Sequence, residues 1–317
     1  MRNERGLRAG DWVEVKPAAE ILATLDDQGR LESLPFMPEM LPHCGHRFQV
    51  FKSAHKTCDT TQNLGSLRSI PNAVHLVGVR CTGAAHGGCQ AGCLLFWKEA
   101  WLKRVDQPST SNGTSPRCDV ETLTRATRVA NGGDTEVRYR CQATELNAAS
   151  TPLPWWNVRG YVRDLWSRNV RLGDFVRYVL IAAYNNLMRL HWRLRPYPSV
   201  RGVARDPTPT AVLDLKAGER VRVRSRDDIM RTLNAAARNR GLSFDPEMVP
   251  FCGKPFTVLR RVERIVNEKT GKMISIRGAC LILDGAACGG CLSSKRLFCT
   301  RSIYPYWHEV WLERVAP

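Results

Sequence analysis

The chain has 317 residues, a net charge of +17 and 12 cysteines, and its isoelectric point is about 9.7. Hydrophobic residues make up 43% of it and charged residues 24%, proportions typical of a soluble globular protein long enough for two or three domains. No stretch reaches the ~18–20 consecutive apolar residues of a membrane-spanning helix, so we expect no transmembrane span. The excess of basic residues favours an anionic partner, such as nucleic acid, an acidic protein or a negatively charged membrane surface.

The first residues, MRNERGLRAGDW, lack the apolar segment of a secretory signal peptide. We therefore expect a cytoplasmic protein, in which thiols stay reduced. Under those conditions the cysteines indicate metal ligation before disulfides.

Residues 1–105 show the periodicity of a small β domain. Apolar residues alternate in WVEV, which predicts a half-buried strand, and the spacing in EILATLDDQG predicts a short helix that ends at Gly29. Three further strands are predicted at FQVFK (48–52), AVHLVGVRC (73–81) and EAWLKRV (99–105). Short strands with one helix inserted after the first are typical of an SH3-like barrel.

The middle of the chain differs in composition. DQPSTSNGTSP (106–116) and PSVRGVARDPTPT (198–210) are linkers by composition, and residues 155–195 between them predict one or two helices. The apolar stripe expected on the helices consists of Leu172, Phe175, Val176, Val179, Leu180, Ala183, Leu187 and Leu190.

The last part of the chain repeats the first. Residues 9–52 align with residues 217–260 without a gap, and the chain ends as the first copy ends, with FWKEAWLKRV (96–105) against YWHEVWLERV (306–315). Matched positions include Gly10 and Gly218, Ile21 and Ile229, Pro38 and Pro246, Glu39 and Glu247, Cys44 and Cys252. Because an internal repeat dictates the architecture, we predict a mainly β protein with inserted helices, in which two tandem SH3-like barrels are joined by a helical middle segment. The predicted domains are a first repeat at 1–105, a partly structured linker at 106–150, a basic amphipathic helical segment at 151–197, a second linker at 198–213 and a second repeat at 214–317.

Two resemblances follow from these patterns. The order Gly-x-x-Val-x-Val, insert, Gly-x-x-Phe-x-Val and closing Trp-x-x-x-Trp-Leu resembles the barrel of the nitrile hydratase beta subunit; it covers the two repeats and carries none of that enzyme's metal-binding residues. It implies a fold and no activity. The string CxGxxHGGCQAGC (81–93) followed by FWKEAWLKR is similar to a group of uncharacterised bacterial proteins, which implies no function.

Cysteines and one histidine recur at matched places in the two repeats. Aligning HGGC with CGGC places His86 opposite Cys288, and imidazole and thiolate replace each other readily as zinc ligands. We therefore predict two structural zinc sites per chain, each with four ligands and no open position. The predicted ligands are Cys44, Cys81, His86 and Cys89 in the first repeat and Cys252, Cys280, Cys288 and Cys291 in the second, with Cys93, Cys299 and Cys58 as alternates.

Other interpretations of these cysteines stay open. They could be small buried hydrophobic residues, or they could hold an iron–sulfur cluster, although the histidine of the first repeat fits a cluster less well. A catalytic zinc would need a base, and the sequence identifies no nearby carboxylate for that role. Outside the repeats, Cys118 has no predicted role. The sequence identifies no base that could activate Cys141 as a nucleophile, so ordinary burial or a role as an extra ligand is favoured for it.

The central segment supplies the residues predicted to bind an anionic partner. They are Arg159, Arg163, Arg168, Arg171, Arg177, Arg189 and Arg193, and Trp155, Trp156, Trp166 and Trp192 stand near the ends of the segment. These residue types suit a helix in a membrane interface and also a helix packed on the domains with its arginines in water, which we favour. The basic strands RVRVRSR (220–226) and LRRVERI (259–265) lack the interleaved aromatic residues of a single-strand reader.

The function predicted from the sequence is a non-catalytic tandem zinc-binding module that scaffolds or binds an anionic partner. Two alternatives belong to other classes: an iron–sulfur or redox enzyme or accessory protein, and a peripheral membrane protein that binds through the central basic helix.

Overall fold

The computed structural model describes residues 6–61, 66–106, 123–124, 127–129, 137–188, 196–276, 278, 280–293 and 295–315. The predicted residues Cys118, Arg189, Leu190, Trp192 and Arg193 lie outside this part of the chain. The described chain divides into two compact units. Unit 1 comprises residues 1–176, 265–274 and 298–301, and unit 2 comprises residues 177–264, 275–297 and 302–317.

The protein is mainly β. The strands in chain order are β1 Trp12–Val15, β2 Arg30–Leu31, β3 Leu34–Pro35, β4 Arg47–Ser53, β5 Thr57–Asp59, β6 Ser66–Ser69, β7 Ala73–Arg80, β8 Leu94–Lys98, β9 Leu102–Val105, β10 Arg128–Val129, β11 Arg138–Tyr139, β12 Thr151–Leu153, β13 Arg220–Val223, β14 Arg238–Asn239, β15 Leu242–Ser243, β16 Pro255–Arg261, β17 Arg264–Val266, β18 Met273–Ser275, β19 Cys280–Leu283, β20 Trp307–His308 and β21 Leu312–Arg314. The α-helices are α1 Ala18–Leu22, α2 Val158–Trp166, α3 Leu172–Met188 and α4 Arg226–Thr232, and the 3₁₀ helices are Pro38–His43, Glu99–Trp101, Pro246–Phe251 and Glu309–Trp311.

Unit 1 is built on a curled five-stranded sheet in the order β8-β7-β4-β1-β9, in which neighbours are antiparallel. A bulge between Val50 and Lys52 shifts the register of β4 against β7, and bulges increase the local twist of a strand. The buried face of the sheet packs against α1 and the 3₁₀ helices, with Trp97 and Trp101 fully buried. This core supports the β7–β8 connection, which carries the cysteine-rich loop.

Unit 2 contains a five-stranded antiparallel sheet in the order β20-β19-β16-β13-β21. Its bulge lies between Val258 and Arg260, the positions that the sequence repeat matches to Val50 and Lys52. Trp307 and Trp311 are fully buried in the core of this unit. The two sheets therefore share one strand order and one position of irregularity.

Matched residues also make the same polar contact in both cores. The indole Nε1 of Trp101 donates to Thr24 Oγ1 at 3.1 Å, and that of Trp311 donates to Thr232 Oγ1 at 2.9 Å. Each threonine hydroxyl donates in turn to a carbonyl oxygen of the preceding helix, which satisfies a polar group that burial would otherwise leave costly. A tryptophan that closes the sheet is thus fixed to the inserted helix.

The predicted helical segment forms α2 and α3. Asn157 caps α2, its side chain accepting a hydrogen bond from the Gly160 amide at 3.2 Å. In α3 the predicted apolar stripe is largely exposed, since Leu172, Val176, Leu180 and Leu187 are each at least 50% accessible. Within the described residues, no helix is long and apolar enough to cross a membrane.

Candidate metal site

The candidate site lies in the loop that joins β7 to β8 in unit 1. The amide of Cys81 donates to the carbonyl of Cys93 at 2.8 Å, which closes the base of the loop. Inside it, the amides of His86 and Gly88 both donate to the carbonyl of Gly83, at 3.2 and 2.9 Å. The loop is therefore a compact turn held by its own backbone, and the turn orients the side chains of residues 81–89.

Glu39, Cys81 and His86 form a group whose ligand atoms all lie within 4.8 Å of one another. His86 Nε2 is 3.6 Å from Cys81 Sγ, and His86 Nδ1 is 3.2 Å from Glu39 Oε1. Glu39 comes from the 3₁₀ helix Pro38–His43, and its Oε1 also accepts a hydrogen bond from the Ala85 amide at 3.0 Å. The imidazole is thus placed between a thiol and a carboxylate, and only 2% of His86 is exposed.

Cys89 lies in the same loop but outside the group of close ligand atoms formed by Glu39, Cys81 and His86. It is buried, interacts with His86, and its Sγ accepts a hydrogen bond from the Val266 amide at 3.3 Å. Burial raises the pKa of Cys89, but the contact with His86 and the amides of Ala91 and Val266 outweigh this and lower it. These interactions favour the thiolate, which is the form that binds metals.

The pKa values of His86 and Glu39 are shifted in opposite directions. Burial lowers the pKa of His86, yet its contacts with Cys81, Cys89 and Glu39 raise it well above the usual range. Burial raises the pKa of Glu39, but the interactions with His86 and the Ala85 amide bring it below its usual value. Anionic sulfur and oxygen donors around one imidazole form an environment that suits a divalent cation.

A cavity of about 40 Å³ adjoins the cluster. Its walls include Cys81, His86 and Cys89, and beyond them Cys93 and Cys141. Burial is the main cause that raises the pKa of both Cys93 and Cys141. The structure therefore collects four thiols and one imidazole around a small enclosed space.

Most of the remaining wall of the cavity is apolar, and its polar part comes from Gln142 and, in later segments of the chain within unit 1, from Glu268 and Arg301. Arg301, 3% exposed, donates to Glu268 Oε1 at 2.6 Å and to the carbonyl of Cys58 at 3.2 Å. The Gln142 amide group bonds both the amide and the carbonyl of Phe96, at 2.8 and 2.9 Å. These contacts fix the segment around Cys141 against β8.

Two predicted first-repeat residues lie elsewhere. Cys44 is in the hydrophobic core of unit 1, where its Sγ is 4.0 Å from the carbonyl of Met40. Cys58 is buried in β5. Neither belongs to the group formed by Glu39, Cys81 and His86.

In unit 2 the predicted ligands occupy separate elements. Cys252 follows the 3₁₀ helix Pro246–Phe251 and Cys280 begins β19, and burial raises the pKa of each thiol to about 11. Cys288 and Cys291 lie in the loop after β19, with Cys291 donating its amide to Glu247. Among the residues that the structure describes, no second group of three ligand atoms lies as close together as in unit 1. The second zinc site stays a prediction from the repeat.

Glu39 is the residue that sequence reasoning missed, although its match to Glu247 was visible in the repeated Pro-Glu-Met. In unit 2 the carboxylate of Glu247 accepts from the amides of Cys291, Leu292 and Ser293 at 3.1, 2.6 and 3.0 Å. In both units, therefore, this buried glutamate reaches the loop that carries the Gly-Gly-Cys sequence. The glutamate that recurs shortly before Cys44 and Cys252 was the sequence feature from which Glu39 could have been predicted as part of the site.

The arginines predicted to bind an anionic partner are exposed wherever the structure describes them. Arg159, Arg163, Arg168 and Arg171 lie on or beside α2 in unit 1, and Arg177 lies on α3. Arg189 and Arg193 lie outside the described residues.

Replacement of Gly83 by alanine is expected to disrupt the site. A Cβ at Gly83 would lie 1.9 Å from the carbonyl oxygen of Cys89, a backbone atom, at φ +78. The loop would have to open, so we expect loss of metal binding, measured as the metal content of the purified variant.

Gly88 provides the matched control. It has a similar φ of +69, but a Cβ there meets no atom within 4 Å. Gly88→Ala should cost only the backbone strain of about 1 kcal/mol and retain the metal. Equal metal content in the two variants would show that the packing of Gly83 does not support the site.

Comparisons of the chain with known protein families, with curated proteins and with solved structures found no match. The resemblances given above therefore stay predictions from the sequence pattern.

Proposed function

We propose that the β7–β8 loop binds one zinc ion through Cys81, His86 and Cys89. The observation that carries the proposal is the position of the His86 ring, with Nε2 3.6 Å from Cys81 Sγ and Nδ1 3.2 Å from Glu39 Oε1. A histidine that ligates a metal through one nitrogen commonly donates the other N–H to a carboxylate, which fixes the ring and raises its basicity. Glu39 has this role in the proposal.

The fourth ligand is proposed to be a cysteine of the adjoining cavity. Cys93 and Cys141 both line that cavity beside His86, and Cys44 is not among its lining residues. Three thiolates and one imidazole form a closed structural zinc site. The ion would therefore stabilise the loop and perform no reaction.

The alternative of an iron–sulfur cluster predicts a different observable. Such a cluster takes four thiolates in most proteins, and the imidazole at the centre of this group favours zinc. A zinc protein is colourless, whereas a cluster absorbs visible light, so the spectrum of anaerobically purified protein separates the two.

The wider proposal is a non-catalytic module of two SH3-like barrels that binds an anionic partner. The equal strand orders and bulge positions of the two sheets support it, as does the net charge of +17. In this proposal the zinc stabilises a scaffold, and the exposed arginines Arg159, Arg163, Arg168 and Arg171 contact the partner. A second zinc, held by Cys252, Cys280, Cys288 and Cys291, belongs to the proposal through the repeat alone.

Replacement of Glu39 by glutamine tests the assigned orientation of His86. Glutamine keeps the size of the side chain but removes the negative charge that faces Nδ1. Changes of this kind typically weaken metal affinity by about 10–100-fold, and we expect an effect of that size when the protein competes with a chromophoric chelator for zinc.

Glu14→Gln is the control, because Glu14 is a carboxylate of the same unit that pairs with Arg47 at 2.9 Å on β1. It should leave the zinc affinity unchanged. An affinity of Glu39→Gln equal to that of wild type would contradict the orienting role of Glu39.

A further inference from the structure

A face of unit 1 exposes large apolar side chains next to arginines. We call it the tryptophan–arginine face and define it by the apolar residues Trp155, Trp156, Val158, Val162, Trp166, Leu172 and Val176 and the basic residues Arg159, Arg163, Arg168 and Arg171. Val158 is 71% exposed, Leu172 67%, Trp156 66% and Val162 61%. Large apolar residues exposed together on one surface mark an interaction site.

The orientation of α2 is fixed by its opposite side, so this face cannot turn inward. Asp164 is fully buried, with Oδ2 2.5 Å from Lys56 Nζ and Oδ1 3.0 Å from His55 Nε2. Just after the helix, Asn169 accepts from the amide of Ser53 at 2.8 Å and donates to its carbonyl at 2.9 Å. Rotation of α2 would expose a buried charge, so the valines and tryptophans are held in solvent by the fold.

The charge of the face is positive and largely uncompensated. Within the described part of the chain, the guanidinium groups of Arg159, Arg168 and Arg171 form no ion pair. The carboxylate of Asp164 does not neutralise them, because it is buried and pairs with His55 and Lys56. Burial raises the pKa of the Glu99 carboxyl, and the charge of Arg163 acts in the opposite direction. Arg8 adds a further cation, stacked 3.8 Å above the Trp166 ring, and Asp174 is an exposed acid at the start of α3.

We propose that the tryptophan–arginine face binds the surface of a lipid bilayer that contains anionic lipids. Tryptophan is enriched at the boundary between lipid headgroups and acyl chains, and exposed valine and leucine beside arginine are typical of helices that lie in that boundary. A single-stranded nucleic acid would use the arginines and the tryptophan rings, but it offers no apolar layer for Val158, Val162 and Leu172. The bilayer accounts for all three residue types.

This inference names the anionic partner of the proposed function and rests on that part of it, not on the zinc site. The test is cosedimentation of the full chain with vesicles of phosphatidylcholine alone and with vesicles that also contain phosphatidylserine. Because each basic residue near an anionic surface contributes on the order of 1 kcal/mol, four arginines should favour the anionic vesicles by at least about a hundredfold at low salt. High salt should reduce the difference.

Two variants separate the apolar and the basic contributions. Trp156→Ala with Val162→Ser removes exposed apolar groups and should weaken binding to anionic vesicles by at least about tenfold. Arg159→Gln with Arg168→Gln should weaken it by about thirtyfold. Val212→Ser, at a valine of unit 2 that is 81% exposed, is the control and should bind as wild type does.

Three results would overturn the inference. They are equal binding to both kinds of vesicle, variants of the face that bind as tightly as wild type, and binding to a single-stranded oligonucleotide in place of vesicles. The metal content of each variant is measured on the same samples. Lost vesicle binding with the metal retained supports the inference, and wild type that keeps its metal but binds no vesicle refutes the inference while leaving the zinc proposal intact.

Discussion

Replacement of Cys81 by serine is expected to remove the metal and to cause the largest loss of stability of any single change in this chain. In small metal domains a structural zinc contributes on the order of 10 kcal/mol of apparent folding free energy. Here the ion would hold the β7–β8 loop closed, and His86 would connect that loop to Glu39 of the 3₁₀ helix Pro38–His43, so its loss should unfold the loop and destabilise the sheet edge. Thermal unfolding followed by circular dichroism, with and without excess chelator, measures the effect.

Cys58→Ser is the control for burying a hydroxyl in place of a thiol. Cys58 is buried in β5 of unit 1, outside the group that could hold a metal, whereas Cys81 is partly exposed. It should lower the midpoint slightly and leave the response to chelator unchanged. If chelator lowers the midpoint of Cys81→Ser as much as that of wild type, Cys81 is not a ligand.

Replacement of Asp164 by alanine is expected to destabilise the protein by about 3–5 kcal/mol, because it leaves a charged lysine buried without its partner. Lys56 is 1% exposed, and its Nζ lies 3.9 Å from the centre of the Tyr161 ring. Burial lowers the pKa of Lys56, while Asp164 acts in the opposite direction. Urea denaturation measures the free energy of unfolding.

The double variant Lys56→Met with Asp164→Leu makes this prediction specific. Apolar residues of similar size often replace a buried ion pair at little cost, so the double variant should recover most of the stability lost in Asp164→Ala. A double variant as unstable as Asp164→Ala would show that the shape of the site, and not an unpaired charge, causes the loss.

The alternation of apolar residues predicted strands β1 and β4 because each of these strands is buried on one face only. WVEV predicts β1 at Trp12–Val15, and FQVFK lies within β4 at Arg47–Ser53. The predicted helix EILATLDDQG is observed as the shorter α1, Ala18–Leu22, and the following chain turns back into the β2–β3 hairpin instead. Alternation reports burial on one face of a strand, whereas the end of a helix depends on tertiary contacts such as Trp101 with Thr24.

The site was predictable in part. The spacing within CTGAAHGGC predicts Cys81, His86 and Cys89 as a local group, and in the structure the ligand atoms of Cys81 and His86 lie close together. The repeat showed the match of Glu39 to Glu247, but it did not show that Glu39 contacts His86, because Glu39 lies on a 3₁₀ helix far from His86 in the sequence. The same holds for Val266 and Arg301, which unit 1 receives from segments that the repeat assigned to the second domain. Contacts of this range depend on the packing of the sheet and have no periodic signature.

The sequence also predicted only part of the exposed face of α2 and α3: it indicated the apolar residues but not their exposure. An apolar stripe predicts a buried helix face, and packing on the domains was the favoured interpretation. The structure leaves Val158 and Val162 exposed because Asp164 on the other side of α2 pairs with Lys56, and Leu172 at the start of α3 is exposed as well. Hydropathy alone cannot show that a buried aspartate, and not the apolar residues, determines which side of the helix faces the core.

Elemental analysis of anaerobically purified protein tests the central claim most directly, namely that Cys81, His86 and Cys89 hold one metal ion. The measurement compares wild type with His86→Ala and Cys81→Ser. We expect each variant to contain one zinc ion fewer per chain than wild type. Equal zinc in all three proteins, or iron with labile sulfide in wild type, would contradict it.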